Sequence, residues 1–322
     1  MIVIINIKKF IFKKNTKEKK YLNFTLLKSN LIYFFKFLLF LILTTYIILE
    51  KLNKLTTLKI TSNYKVVRTK KKIISNDPSS IIENYKEFIM ELPSYNHTHK
   101  RSKKIFWCWL QGERNAPNIS KACLNSVFRN CKSHEIILIN LNNMNKYVHF
   151  PSFILKKLKK KCISMAHFAD LLRLELLIKY GGTWIDSTVL ITKYDDIFFN
   201  NDLFFFQASK HIYHVGSNWF ITAEKESPIL RTTLDLLYEF WSKNDRIIHY
   251  FLFHFFFKMA YDRYYKEYRK IPYFLSNTAH KLQFELLKPF NKSKYKQIIR
   301  DSKVHKLSRK LKTNITKGLY YH

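Results

Sequence analysis

The segment AHFADLLRLELLIKYGGTWIDSTV, Ala166 to Val189, decides how this chain folds. From Ala166 to Tyr180 it is the strongest helical stretch present, with Leu171, Leu174 and Ile178 spaced to face a core. On such a helix Asp170 and Arg173 are i, i+3 neighbours and share one face. Gly181-Gly182 stops the helix. Glycine is scarce, five in the whole chain, so a pair marks a sharp turn or a close backbone approach. Thr183 to Thr192 then reads as a strand. Its alternation sends Trp184, Asp186 and Thr188 one way and Ile185, Ser187 and Val189 the other. A carboxylate inside an apolar strand is costly unless it is paired, hydrogen-bonded or metal-bound. At the carboxyl end of a sheet strand, it would line the crevice where open α/β folds hold ligands.

The flanks repeat the alternation of strand and helix. Upstream, Lys104 to Leu110 is a short apolar run stopped by Gln111-Gly112, a buried strand and its turn. Ser120 to Asn130 has helical spacing, Glu135 to Asn140 is a second buried strand, and Pro151 to Lys161 resumes a helix. Downstream, Asp202 to Ala208 is a strand, and Ser227-Pro228 opens a helix through Trp241. Ile247 to Phe257 is apolar but only about half a membrane span, so it reads as a core helix. The pattern predicts an α/β domain with a mostly parallel sheet over residues 101–310.

Residues 1–50 differ in texture. A lysine-rich head precedes an apolar run from Leu31 to Leu49, whose length matches the roughly 20 residues needed to cross a bilayer core. Lys36 interrupts that run, so a membrane-surface helix with a snorkelling lysine is the alternative to a span. Residues 51–100 read as a polar connector with some helix, ending near the His97-Thr98-His99 patch of solvated loop histidines, and 311–322 as a basic tail. The net charge of +34 favours polyanionic partners. A bias in base composition also explains it, because Lys, Asn, Ile, Phe and Tyr are inflated together. Cys108, Cys123, Cys131 and Cys162 form no C-x-x-C pair, which argues against structural zinc and for reduced thiols.

Several ordered motifs resemble one family. They are Ser164-x-Ala166-His167-Phe168-x-Asp170-x-x-Arg173 and Tyr180-Gly181-Gly182-x-Trp184-Ile185-Asp186-x-Thr188, with Lys104-Ile105-Phe106-Trp107-x-Trp109 upstream. Ser217-Asn218-Trp219-Phe220, Tyr250 to His254 and Val304-His305-Lys306-Leu307 follow downstream. The whole resembles the bacterial capsular polysaccharide synthesis proteins, grouped with glycosyltransferase family 32 and the sugar-binding DXD proteins. The resemblance implies a GT-A fold, with a helical C-terminal part, that transfers a sugar, with retention, from a nucleotide-sugar donor to a glycan or lipid-linked acceptor. It implies that Trp107 stacks on the nucleobase, with Trp109 as the alternative. Asp170 and Arg173 then hold ribose and sugar hydroxyls, Gly181, Gly182 and Asn218 border the donor, and Asp186 is the first acid of the metal-and-sugar motif. Thr188 stands where a second acid usually ligates Mn²⁺ or Mg²⁺, and a hydroxyl is the weaker ligand for a hard cation. Asp186 would then hold the ion with Thr188, Asn218, His254 or His280.

A cytosolic supply of nucleotide sugars points to the cytoplasmic face of a membrane, although the layout also resembles a type II Golgi enzyme. Two other function classes compete. A basic nucleic-acid binder is suggested by charge and aromatics, without a recognised motif. An inactive membrane-surface protein that keeps the fold is suggested by Thr188 and the basic head.

Overall fold

The computed structural model describes residues 44–45, 76–209, 213–266 and 271–310. The chain divides into two compact units, 1–65 and 66–322. In the first, Thr44 and Thr45 are helical; the rest of the basic head and apolar run lies outside the described residues, as do residues 51–75 and the tail. Among the described residues no helix is long and apolar enough to cross a membrane.

The second unit is built on β1, Lys104–Cys108, whose middle residues Ile105, Phe106 and Trp107 are fully buried. Helix α3, Asn118–Asn130, carries the chain to β2, Glu135–Ile139, parallel to β1 on one side. Helices α4, Ser152–Lys159, and α5, Met165–Tyr180, carry it back across to β3, Gly182–Ile185, parallel to β1 on the other side. The first crossover therefore leads from β1 to one side and the second, starting from β2, returns past β1 to the other. This is the switch point at which open α/β sheets form a crevice beyond their carboxyl ends. The sheet is completed by β5, Leu203–Gln207, and the reversed β6, Gly216–Ala223, in the order β2-β1-β3-β6-β5. The mixed α/β class with a mostly parallel sheet is the one expected.

Helix α5 is capped by the Ser164 hydroxyl, which accepts from the His167 N–H at 3.3 Å. It is buried on nearly every side, packed between the sheet and α7, Pro228–Lys243, on which α8, Leu252–Arg263, also rests. A helix so enclosed is apolar almost all round, which makes its buried Asp170 and Arg173 conspicuous. Gly181 and Gly182 lie in the left-handed region at φ +65 and +99, and a Cβ on Gly182 would stand 2.3 Å from the Lys104 carbonyl oxygen. The glycine pair lets β3 lie against β1.

The strand expected over residues 183–192 is broken. After Ile185 the polar Asp186-Ser187-Thr188 turns, closed by the Val189 N–H donating to the Asp186 carbonyl at 3.0 Å. The short β4, Val189–Ile191, instead pairs antiparallel with β7, Val304–Lys306. The connector carries the helix expected of it. Helices α1, Pro78–Asn84, and α2, Lys86–Glu91, join the second unit, where Arg263 donates to the Leu92 carbonyl at 2.6 Å and Tyr264 accepts from the Tyr95 N–H at 3.0 Å. His97 is hydrogen-bonded to the buried Glu224, which also accepts from the Thr98 N–H at 2.9 Å, so His97 is tied down, whereas the His99 side chain is 70% exposed as expected of a solvated loop histidine.

An aromatic core lies against the short helix α6, Asp196–Phe199, where Phe198, Phe204, Phe206 and Phe220 meet largely edge to face. Full burial of each such ring contributes about 1.5–3 kcal/mol. Helices α9, Ser276–Glu285, and α10, Lys292–Asp301, form the helical C-terminal part and hand the chain to β7.

Candidate active site

Parallel β1 and β3 end side by side, with Trp107 opposite Ile185. The next residues, Trp109 and Asp186, therefore emerge at the same edge of the sheet. The antiparallel β6 begins at that edge, so Asn218 arrives there too, and the Trp219 carbonyl accepts from the Asp186 N–H at 2.9 Å. Here a cavity of about 840 Å³ opens, lined by Trp109, Asp170, Arg173, Asp186, Asn218 and Lys306 among others. That volume is at the upper end of what small-molecule sites use.

Arg173 joins the two carboxylates. Its guanidinium donates to Asp170 Oδ1 and, at 3.3 Å, to Asp186 Oδ1. The cation also lies 5.1 Å from the ring centroid of Trp184 and 5.6 Å from that of Phe253, which orients it. Asn218 Nδ2 donates to Asp170 Oδ1 at 3.0 Å, and Trp184 Nε1 donates to Asp186 Oδ1 at 2.8 Å. Lys306, from β7, donates to Asp186 Oδ2 at 3.0 Å and to Thr188 Oγ1 at 2.8 Å. The two acids respond differently. Burial pushes the Asp170 pKa up and its partners do not reverse it. Burial also works against charge on Asp186, but Lys306 and Arg173 overcome it and hold the carboxyl below its ordinary value. Asp186 is thus a fixed anion at neutral pH.

The expected residues divide into those that reach the cavity and those that do not. Asp170, Arg173, Asp186, Thr188, Asn218, Trp109 and His254 line it. Trp107 does not: it is fully buried beside Ala116 and Leu124, so its ring face is closed to a nucleobase. Trp109 is open to the cavity, with the Arg309 guanidinium 5.6 Å above its ring. Gly181 and Gly182 lie off the cavity and serve the backbone. His280 also lies away from it, with Nδ1 bound to the Ser276 carbonyl at 2.8 Å, while His254 Nδ1 bonds the Gly216 carbonyl at 3.0 Å. Lys306 was given no role by the sequence. It stood in a quoted motif, but nothing distinguished it among 57 Lys and Arg residues.

A divalent cation does not fit this arrangement. The two oxygens it would bridge, on Asp186 and Thr188, both already accept from the Lys306 ammonium. Among the described residues, the His, Cys, Asp and Glu side chains grouped closely enough to hold an ion are His97, His99 and Glu224, away from this cavity.

Comparison with known proteins adds the family. The family profile described as "Capsular polysaccharide synthesis protein" matches residues 54–322, and the chain belongs to that family. No curated protein matches. Among solved structures, the chain is similar to "PaToxG Glycosyltransferase" at 15% identity and TM-score 0.38, covering 70% of this chain and 93% of that one. It is also similar to a structure described as a transferase mutant, at 11% identity and TM-score 0.31, covering 55% of this chain and 89% of that one. At these scores neither likeness assigns a chemistry.

Proposed function

We propose that this member of the capsular polysaccharide synthesis family is a glycosyltransferase that moves a sugar from a nucleotide-sugar donor to a glycan or lipid-linked acceptor. The observation that carries the reading is the Asp170–Arg173–Asp186 network, buried in the wall of a cavity at the sheet's switch point. Trp109 lines the cavity and offers its indole ring to the nucleobase, with the Arg309 guanidinium over that ring. Asp170, held by Asn218 and Arg173, is placed to accept hydrogen bonds from ribose or sugar hydroxyls. Asp186 holds Lys306 at the diphosphate end, where the ammonium meets the negative charge that develops as the donor breaks.

The reaction proposed is retaining. The bond from the anomeric carbon to the diphosphate breaks with its electron pair left on the diphosphate oxygen. The acceptor oxygen bonds the anomeric carbon on the same face, and its proton passes to the leaving diphosphate. Cys108 borders the cavity, yet burial pushes its thiol up to about 12, so it supplies no thiolate nucleophile at neutral pH. For the cell, the reading places the protein where nucleotide sugars are made, on the cytoplasmic face of a membrane.

Release of nucleoside diphosphate from UDP- and GDP-sugars tests this. The intact chain is expected to release it from one donor, and Asp186→Ala to lower the rate about 100-fold or more. Release that survives Asp186→Ala unchanged would place the chemistry elsewhere.

A further inference from the structure

Building on the glycosyltransferase reading, we propose that the enzyme works without a divalent cation, and that the Lys306 ammonium takes the metal's place beside the donor diphosphate. The placement of Lys306 is built by the fold. β7 pairs with β4 in a register that sets Lys306 opposite Val189, and the Leu307 N–H donates to the Thr188 carbonyl at 2.8 Å. This brings Nζ to 3.0 Å from Asp186 Oδ2 and 2.8 Å from Thr188 Oγ1. An ion bridging these two oxygens would have to occupy the same space and would meet a like charge at short range.

The local charge points the same way. Two carboxylates, Asp170 and Asp186, face three cations of the lining, Arg173, Lys306 and Arg309, so the wall carries no negative excess for an ion to neutralise. A second carboxylate at position 188 would add negative charge and a hard ligand for a metal, and the Thr188 hydroxyl adds neither. An ammonium carries three donors. Two are used on Asp186 and Thr188, and among the described residues no group takes the third. Its side chain is 18% exposed, enough for a phosphate oxygen to reach it from the cavity. As the glycosyl bond breaks, Lys306 keeps its protons and meets the charge left on the diphosphate with a charge-assisted hydrogen bond.

The test uses the full chain with UDP-glucose, UDP-galactose, UDP-N-acetylglucosamine and GDP-mannose, after EDTA and again with millimolar Mn²⁺. The expected result is nucleoside diphosphate release within about twofold in the two conditions, and no Mn²⁺ bound by the protein in electron paramagnetic resonance titrations. Lys306→Ala should slow release about 100-fold with no rescue by Mn²⁺, while Lys306→Arg keeps part of the rate. Thr188→Asp combined with Lys306→Ala should gain Mn²⁺ binding, a readout that a merely structural lysine would not move. Release that disappears in EDTA and returns with Mn²⁺ overturns the inference alone, as does a Lys306→Ala protein as fast as the parent. No release from any donor in either condition removes the glycosyltransferase reading and the inference together. If Lys306→Ala fails to fold, the Mn²⁺ titration and the EDTA comparison on the parent chain still decide.

Discussion

Arg173 holds two carboxylates at once, and its side chain is only 5% exposed. Removing it leaves the buried Asp170 with the neutral Asn218 as a partner and no cation, while Asp186 keeps Lys306. Breaking a buried ion pair from one side costs about 3–5 kcal/mol, and Arg173→Met is expected in that range by urea unfolding. A cost under about 1 kcal/mol would mean that the network contributes little to the fold. The two tryptophans of β1 and its end give a sharper contrast. Trp109→Ala should weaken nucleoside diphosphate binding by about 1–3 kcal/mol in calorimetry, the usual worth of one stacked base. Trp107→Leu, in the sheet core, should lower the melting temperature and leave affinity unchanged. The reverse pattern would return the stacking role to Trp107. At this scale the sequence was informative where spacing constrains chemistry, as for Asp170 and Arg173. It was silent where a partner comes from a distant strand, as Lys306 does, 120 residues after Asp186.

The elements show why legibility varied. Helices α3, α4, α5 and α7 were readable because apolar spacing and their stops lie within each segment. The break after β3 was not, since a strand continuing to Thr192 and a turn at Asp186 share the same alternation. What separates them is the partner strand: β4 finds β7, which alternation within one segment cannot foretell. The polar texture of 76–100 likewise hid contacts made by Arg263 and Tyr264 from α8 and its end. The turn between α5 and β3 can be tested directly. Gly182→Ala puts a methyl 2.3 Å from a backbone carbonyl at φ +99, so backbone must move. We expect a loss of more than about 2 kcal/mol in chemical denaturation. Gly112→Ala meets nothing closer than 3.9 Å but shares a positive φ of +89, and should cost about 1–2 kcal/mol. Equal costs would show that strain, and not the close approach to β1, sets the requirement at Gly182.

For the molecule as a whole, pH reports the buried groups. Burial pushes His305 down to about 4, against an ordinary value near 6.5. The unfolded chain therefore takes up this proton first. The contribution is fully present above about pH 6.5 and is lost as pH falls toward 4, about 3 kcal/mol in all. His305→Phe should flatten that part of the stability curve, and an unchanged curve would assign the loss to other groups. Asp186 acts lower: its carboxyl is held below the ordinary value, so its stabilisation persists above that value and goes as pH falls through the depressed one. Asp170 opposes this, because its raised pKa favours the folded state when it is protonated. The strong positive charge of the whole chain favours the approach of an anionic donor. In the proposed function one cavity holds a nucleotide sugar between Trp109 and the Asp186–Lys306 pair. The most direct measurement is a crystal structure of the chain with the donor found by the release screen. The base is expected on the Trp109 ring and a phosphate oxygen within hydrogen-bond distance of Lys306 Nζ, with no metal between Asp186 and Thr188. A donor bound outside this cavity, or an ion bridging those two residues with Lys306 turned away, would contradict it.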